Sequence, residues 1–471
     1  MDQELRAQCA RIVDKLEAAR VADRSLSVFG AGAHKYEIGA TVSEERIRAF
    51  EASHGINLPE HYASFLNLVG NGSPKAEDRP AAGPFYGIYP LGFGVDDFIY
   101  GGFGYLNARP FVRPDMNRSE WDEATKPVIN EELSGVEYDN ALRRIFGGLL
   151  PIGPQGCQSY HALVLQGHDA GKVVNIDTDL LYPAFCYENN FLDWYERWLD
   201  EILSGLLLKE GPSWFGYAMG GDDRRLLQVY RNSDDNSTKL AALDGFGKLI
   251  SICADSAIEI SNIAQSDNPE LRYRAISILT EFDYYRARSE LEDLLKGTGE
   301  EQLVACKAIH LFAQKYASDW VDVIGPIATV TSDIELFRFA SYILDSTGMD
   351  CTGYLLPAAS HQDECIRRQA IYTIGKNLDN PQAAEAILRA LSDESPQVVH
   401  AALQAHEKPL DDRFLKAYAS IASRFEIDEH YILTNLNHRL KAIGYDNKAA
   451  FVSDFYAGRV RQRGFWSRFF R

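Results

Sequence analysis

Apolar positions at the start of the chain recur at helical spacing. In residues 2–19, Leu5, Cys9, Ile12, Val13 and Leu16 gather on one face, which predicts an amphipathic helix. The stretch HKYEIGATVS that follows reads as extended. Ser43 stands where a helix N-cap is wanted, with Glu44 and Glu45 in the first turn, where the helix dipole favours negative charge. Ile47 and Phe50 are the apolar positions of that helix, and Gly55 supplies a left-handed stop. A second short helix is predicted from Pro59, which suits a first helical position because its missing N–H has no partner there. Tyr62, Phe65, Leu66 and Val69 follow at i, i+3, i+4 and i+7, a single stripe that must be buried, and Gly70 with Asn71-Gly72 ends it in a turn.

The period then changes. Between 83 and 185 glycine, proline and aromatics punctuate short apolar runs (GPFYGIYPLGFG, GGLLPIG, YHALVLQG, GKVVNID, LYPAFCY), which predicts several antiparallel strands. FLDWYERWLDEILSGLLL returns to the helical period, with Phe191, Trp194, Tyr195, Trp198 and Ile202 near one face. Short helices packed on a small antiparallel or mixed sheet make this part an α+β module.

From about residue 235 the chain resembles itself. RAISIL, KAIHLF, FASYIL, QAIYTI and HAALQA repeat a small-then-apolar motif around Ala275, Ala308, Ala340, Ala370 and Ala401, at intervals of 33, 32, 30 and 31 residues. AALDGFGKL, around Ala242, stands 33 residues before the first. Several units open on polar caps such as SDNPELRYR and TSDIELFRF. A period near 30 with two short helices per unit predicts an all-α solenoid, in which the alanine lets neighbouring helices approach closely. The pattern resembles short HEAT-like repeats, and that resemblance implies an extended concave surface used for binding.

Composition narrows the function. A chain of 471 residues holds two to four domains, and 46% apolar content excludes large-scale disorder. The seven cysteines are scattered with no C-x-x-C, which argues against a zinc site or a disulfide framework and places the protein in a reducing cytoplasm. Neither a signal peptide nor a run of about 18 apolar residues is found, so no membrane span is expected. The net charge of −19 repels nucleic acid and favours a basic protein partner. The terminal GRVRQRGFWSRFFR runs against this trend, with Arg459, Arg461, Arg463, Arg468 and Arg471 among aromatics. It reads as a cap folding back on the acidic body, or else as an exposed partner-binding tail.

Catalytic chemistry is hard to find. The eleven histidines form no convincing pair with other ligands, and no zinc-protease, nucleophile-elbow or phosphate-loop motif occurs. GFGVDDF and GGFGYLN are glycine-rich turns that fail the dinucleotide pattern. Asp96 and Asp97 are adjacent, so in an extended segment they point to opposite sides and do not make a metal site. The better candidate is the acidic cluster Glu131, Glu132, Glu137 and Asp139 in NEELSGVEYDN, an anionic face able to dock a basic cleft, with Asp96, Asp97 and Asp115 as possible extensions. No catalytic residue, metal or cofactor is expected.

One resemblance organises the α+β part. Ser43-Glu44-Glu45-Arg46-Ile47, Phe50-Glu51, Gly55-Ile56, Leu58-Pro59, Tyr62, Phe65-Leu66 and Asn71-Gly72 are similar to the entry pattern of the SUKH superfamily. Leu150-Pro151-Ile152-Gly153, GKVVNID and FLDWYERWL resemble its later strands and closing helix, so the likeness spans roughly residues 40–203. The stretch from 75 to 148 departs from it, being long and acidic toward its end. The expected organisation is an N-terminal helix and extension (1–40), a SUKH-like domain (41–210), a linker (211–234), a HEAT-like solenoid (235–430) and a cap with the basic tail (431–471). In bacteria the resemblance implies an immunity protein that binds and neutralises a cognate toxin, commonly one that attacks nucleic acid. The founding yeast member, a regulator of cell-wall synthesis, implies the alternative of a non-catalytic adaptor. An enzyme is a third class, because some short HEAT-like repeat proteins resemble chromophore lyases, but the Cys, His and acidic cluster it needs is absent from the repeats. A monomer is expected.

Overall fold

The computed structural model describes residues 3–76, 79–99, 104–130, 132–208 and 215–460. The chain divides into two units, Met1–Cys253 and Ala254–Arg471.

The first unit opens with α1 (Gln3–Ala22), a single turn α2 (Ala31–His34), α3 (Glu44–His54) and α4 (Glu60–Leu68). Then come α5 (Arg118–Ile129) and α6 (Gly135–Phe146). Four strands follow, β1 (Leu149–Gly156), β2 (Ser159–Val164), β3 (Val173–Asp177) and β4 (Ala184–Phe185), in the order β1-β2-β3-β4 with every neighbouring pair antiparallel. The unit closes with α7 (Phe191–Leu203), α8 (Asp223–Asn232) and α9 (Asn236–Gly245).

Local chemistry explains most of these boundaries. Ser43 Oγ accepts from the Arg46 amide at 3.3 Å, and Gly55 ends α3 with φ 65°. Pro59 takes the N-cap of α4 rather than its first helical position, and Glu60 starts the helix. On α1 the buried face is Leu5, Cys9, Ile12, Leu16 and Ala19. Val13 is exposed, because one residue past Ile12 the helix has turned by about 100°. The extended reading after α1 is interrupted by α2 and by Lys35 and Tyr36, both in the left-handed region. The closing helix stops at Leu203; Gly205 (φ 83°) breaks it, and Leu206–Leu208 form one 3₁₀ turn.

The larger correction concerns residues 83–148. Among the described residues there is no strand here, only an isolated bridge between Ala81 and Ile88 followed later by α5 and α6. Pro84 and Pro90 have no N–H to give a ladder, and Phe85 and Gly87 turn the backbone to positive φ. The segment still serves the sheet. The Tyr89 amide donates to Ile152 O at 2.8 Å, covering the outer edge of β1. A Cβ on Gly153 would stand 2.2 Å from Gly87 O, so the strand carries glycine at the closest approach.

Helix α7 is the centre of this unit. Phe191, Trp194, Tyr195 and Trp198 are fully buried, and Tyr62 and Phe65 from α4 meet Phe191 at ring distances of 4.9 and 5.0 Å. The stripe read from the sequence therefore packs on α7, each buried large side chain contributing about 1.5–3 kcal/mol. Helix α1 packs on α7 as well, with Arg11 and Lys15 both reaching Glu196 (3.1 and 2.9 Å).

Among the described residues the second unit is all helical. It contains α10 (Ala254–Ile263), α11 (Pro269–Phe282), α12 (Tyr284–Lys296), α13 (Gly299–Phe312), α14 (Val321–Val330), α15 (Ile334–Ser346) and α16 (Thr352–Leu355). It continues with α17 (Glu364–Ile374), α18 (Pro381–Ala390), α19 (Pro396–Gln404), α20 (Asp412–Arg424), α21 (Ile432–Lys441) and α22 (Lys448–Tyr456). The alternate helices α11, α13, α15, α17, α19 and α21 touch one another in succession, forming one row. The repeated alanines, Ala275, Ala308, Ala340, Ala370 and Ala401, lie one on each of five of these helices and are all buried. Asn268, Thr298, Asp333 and Asp363 cap the helix starts through side-chain oxygens. Arg367, itself buried, ties α17 to Asp393 just before α19 at 2.9 Å.

Candidate partner-binding surface

Helix α5 is held firmly. Asn117 and Glu120 form a reciprocal capping box (3.0 and 3.1 Å), and buried Trp121 donates from Nε1 to Leu180 O at 2.9 Å. At its far end Pro127 is followed by Ile129, 58% exposed, and by Asn130, whose side chain donates to Glu132 at 3.0 Å. Helix α6 then begins on Ser134 without a side-chain cap bond. Its last turns are anchored by buried Ile145 and Phe146, but every residue from Gly135 to Asn140 is exposed. The first half of α6 projects from the body. It carries Glu137 and Asp139 together with Val136 (74% exposed) and Tyr138 (41%).

The structure thus brings Glu132, Glu137 and Asp139 to one tip, where exposed apolar side chains accompany them. Glu131 lies outside the described residues. Asp96 and Asp97 are elsewhere. Their turn adjoins the other end of α6, where Phe98 meets Phe146 at 5.0 Å, about 13 Å along the helix from Glu137. Exposed Arg143 and Arg144 in the last turn of α6 lie between the two acidic places, cations at the helix C-terminus as its dipole favours. Asp97 accepts from Tyr89 Oη at 2.9 Å, and partial burial raises its carboxyl pKa. Asp115 is paired with Arg113 at 3.0 Å.

A cleft of about 890 Å³ beside α7 has no counterpart in the sequence reading. Its wall holds Arg197, which bonds both Glu188 and Glu201 at 2.7 Å, while Lys248 meets Glu201 at 3.0 Å. With the Arg197 bond to Ala218 O at 2.7 Å, these pairs hold α7 to the chain after residue 215. Only the Arg197–Glu201 spacing of four was legible beforehand. Nearby, a polar cluster is sealed in the core. Gln155, His161 and Asn175, one from each of β1, β2 and β3, bond one another within 3.0 Å, and Tyr217 Oη donates to Gln155 at 2.9 Å. Burial lowers the His161 pKa to about 3, and those of His34 and His406 to about 4. Three of the histidines are therefore neutral packing groups. Among the described residues, no group of three His, Cys, Asp or Glu side chains is placed to hold a metal ion. Likewise, no described helix is long and apolar enough to cross a membrane.

An antiparallel meander flanked by short helices, with a projecting helix tip, places the first unit among α+β domains. Residues 41–197 match the SMI1 / KNR4 family (SUKH-1), so this segment, about a third of the chain, is a SUKH-1 domain. The match leaves out α1, α2, α8, α9 and the whole second unit. No curated protein matches the chain. Among solved structures, the X-ray structure of E. coli YibA is similar at 13% identity over 52% of this chain and 92% of that one, with a TM-score of 0.36, too slight a likeness to carry an argument.

Proposed function

We propose that this chain acts by covering a protein partner rather than by transforming a substrate, as a cytoplasmic, monomeric immunity protein that binds a cognate basic toxin directed at nucleic acid and occludes its cleft. The observation that carries this reading is the stretch from the end of α5 to the tip of α6, where Glu132, Glu137 and Asp139 accompany Ile129, Val136 and Tyr138, all left in solvent. An enzyme that acts on phosphate backbones needs a cationic cleft. Carboxylates on a projecting tip match that charge, and the apolar side chains supply the desolvated centre from which most interface energy comes. The acidic body steers the encounter, with association approaching about 10⁸ M⁻¹s⁻¹ at low salt. An affinity of about −12 kcal/mol or better is expected, weakening as salt rises. The SUKH-1 match over 41–197 supports a role of this kind.

The test is co-expression with the product of the neighbouring gene, pull-down and a survival assay. Replacing Glu132, Glu137 and Asp139 together by lysine is expected to abolish protection and to weaken binding by about a hundredfold or more. Protection that persists unchanged overturns the assignment of this surface. A regulatory adaptor is the second reading, favoured by the repeat-like helical unit attached to the SUKH-1 domain. In that case deletion of the gene impairs growth even where no toxin is present.

A further inference from the structure

The second unit carries a surface of different character from the acidic tip. Counting from the repeated alanines of α13, α15 and α17, the side chains one residue before and two after lie opposite the buried face of the helix; on α19 the position before Ala401 does so, while Leu403, two after it, is buried. On α13 these are Lys307 and His310, on α15 Phe339 and Tyr342, on α17 Gln369 and Tyr372, and on α19 His400. All are half-buried or exposed, and none is acidic, in a chain with 67 Asp and Glu against 48 Lys and Arg. They lie on successive helices of the row. His310 meets Phe339 and Tyr342 at ring distances of 5.6 and 5.1 Å, across the α13–α15 boundary. Two cations beside them are engaged by neutral groups, Lys307 lying 5.5 Å over the Phe339 ring and Arg368 donating to Gln397, while Lys376, 5.2 Å over the Tyr372 ring, is paired with Asp345.

We propose that this stripe is the docking site of an acidic polypeptide segment in polyproline-II form. The spacing supports the conformation. Packed helices stand about 8–10 Å apart, and a polyproline-II chain returns the same face every three residues, about 9.3 Å. One turn of such a segment therefore spans one helix of the row, and about nine to twelve residues span α13 to α19. Carboxylates on every third residue meet Lys307 and Arg368, while proline rings lie against the Phe339, Tyr342 and Tyr372 faces, a contact that a preformed helix makes at low entropic cost. Single-stranded nucleic acid also pairs charge with stacking. The body's charge of −19 opposes a polyanion far more than it opposes a peptide of four carboxylates, so of these two the peptide is the less opposed, and its attraction is local, to Lys307 and Arg368. The inference rests on the second unit alone and stands or falls separately from the α6 surface.

The experiment is fluorescence anisotropy of the full-length protein with a labelled twelve-residue peptide of four Pro-Pro-Glu repeats. Parallel arms use four Pro-Pro-Lys repeats, four Gly-Gly-Glu repeats and a twelve-nucleotide thymidine strand. The Pro-Pro-Glu probe is expected to bind about tenfold or more tighter than each of the other three. K307E is expected to weaken it by about tenfold or more, and so is the separate exposed-ring variant Y372A, each with an unchanged thermal midpoint. The proposal is overturned if the Pro-Pro-Glu probe fails to bind, if the lysine or thymidine probe binds as well, or if correctly folded K307E and Y372A both bind it at full strength. Equal binding of the Gly-Gly-Glu probe overturns the polyproline-II conformation.

Discussion

The two units solve the problem of a core in opposite ways. In the first, large aromatic side chains from distant parts of the sequence converge on one helix: Phe65 of α4 lies 4.8 Å from Tyr195 of α7, and Trp121 of α5 bonds the carbonyl of Leu180. In the second, a small residue recurs, and each helix of the row packs on the next. The difference teaches where stability is shared. A core closed by long-range contacts forms as a whole, whereas a ladder of neighbours adds its stability step by step.

The largest test of that contrast is Trp194→Ala. Removing a fully buried indole costs about 3–5 kcal/mol and is expected to strip amide-exchange protection from α1, α4, α7 and the sheet together, leaving the second unit protected. Protection lost from α7 alone breaks the comparison. Next comes Ala340→Leu, an overpacking worth about 1–3 kcal/mol. Its loss of protection should centre on α13, α15 and α17 and fade before α21; a uniform loss across the unit shows the ladder to be more cooperative than its contacts imply.

A smaller effect separates the units by pH. His34 and His161 in the first unit and His406 in the second are held by burial at about 4, 3 and 4, below the free imidazole value of about 6.5. The unfolded chain then binds protons before the folded one, so stability is full above about pH 6.5 and falls as pH drops from there toward 4. Thermal melts at about pH 7.5 and pH 5 should show a lower midpoint at the acid end, with the steeper fall in the unit that holds two such histidines. A midpoint that does not move contradicts the neutral assignment. The smallest expected change is Val136→Asp on the tip of α6, where the side chain is already 74% exposed and the unfolding free energy should stay within about 0.5 kcal/mol of the parent. A larger loss means that the tip is part of the core after all.

Much of this architecture could be read in advance. The elbow of α3 and α4 was legible because Ser43, Gly55 and the stripe from Tyr62 to Val69 report local conformation and one-sided burial, both of which act within a few residues. The alanine ladder was legible for the same reason, repeated. The loop from 83 to 99 was not. It covers the edge of β1 with a main-chain bond from Tyr89 to Ile152, and a backbone contact leaves no period in the side chains. Nor was the split of the acidic candidates legible: Asp96 and Asp97 stand at one end of α6 and Glu137 and Asp139 at the other, with Arg143 and Arg144 between, an arrangement decided by how Phe98 packs on Phe146. Sequence alone determined the helices of the α3–α4 elbow, α7 and the alanine ladder and which of their faces seek cover, but not α2, α5 or α6. Only the tertiary structure decided which surfaces remain uncovered, because exposure is what is left after distant segments have found each other, and that is a property of the whole packing rather than of any local pattern.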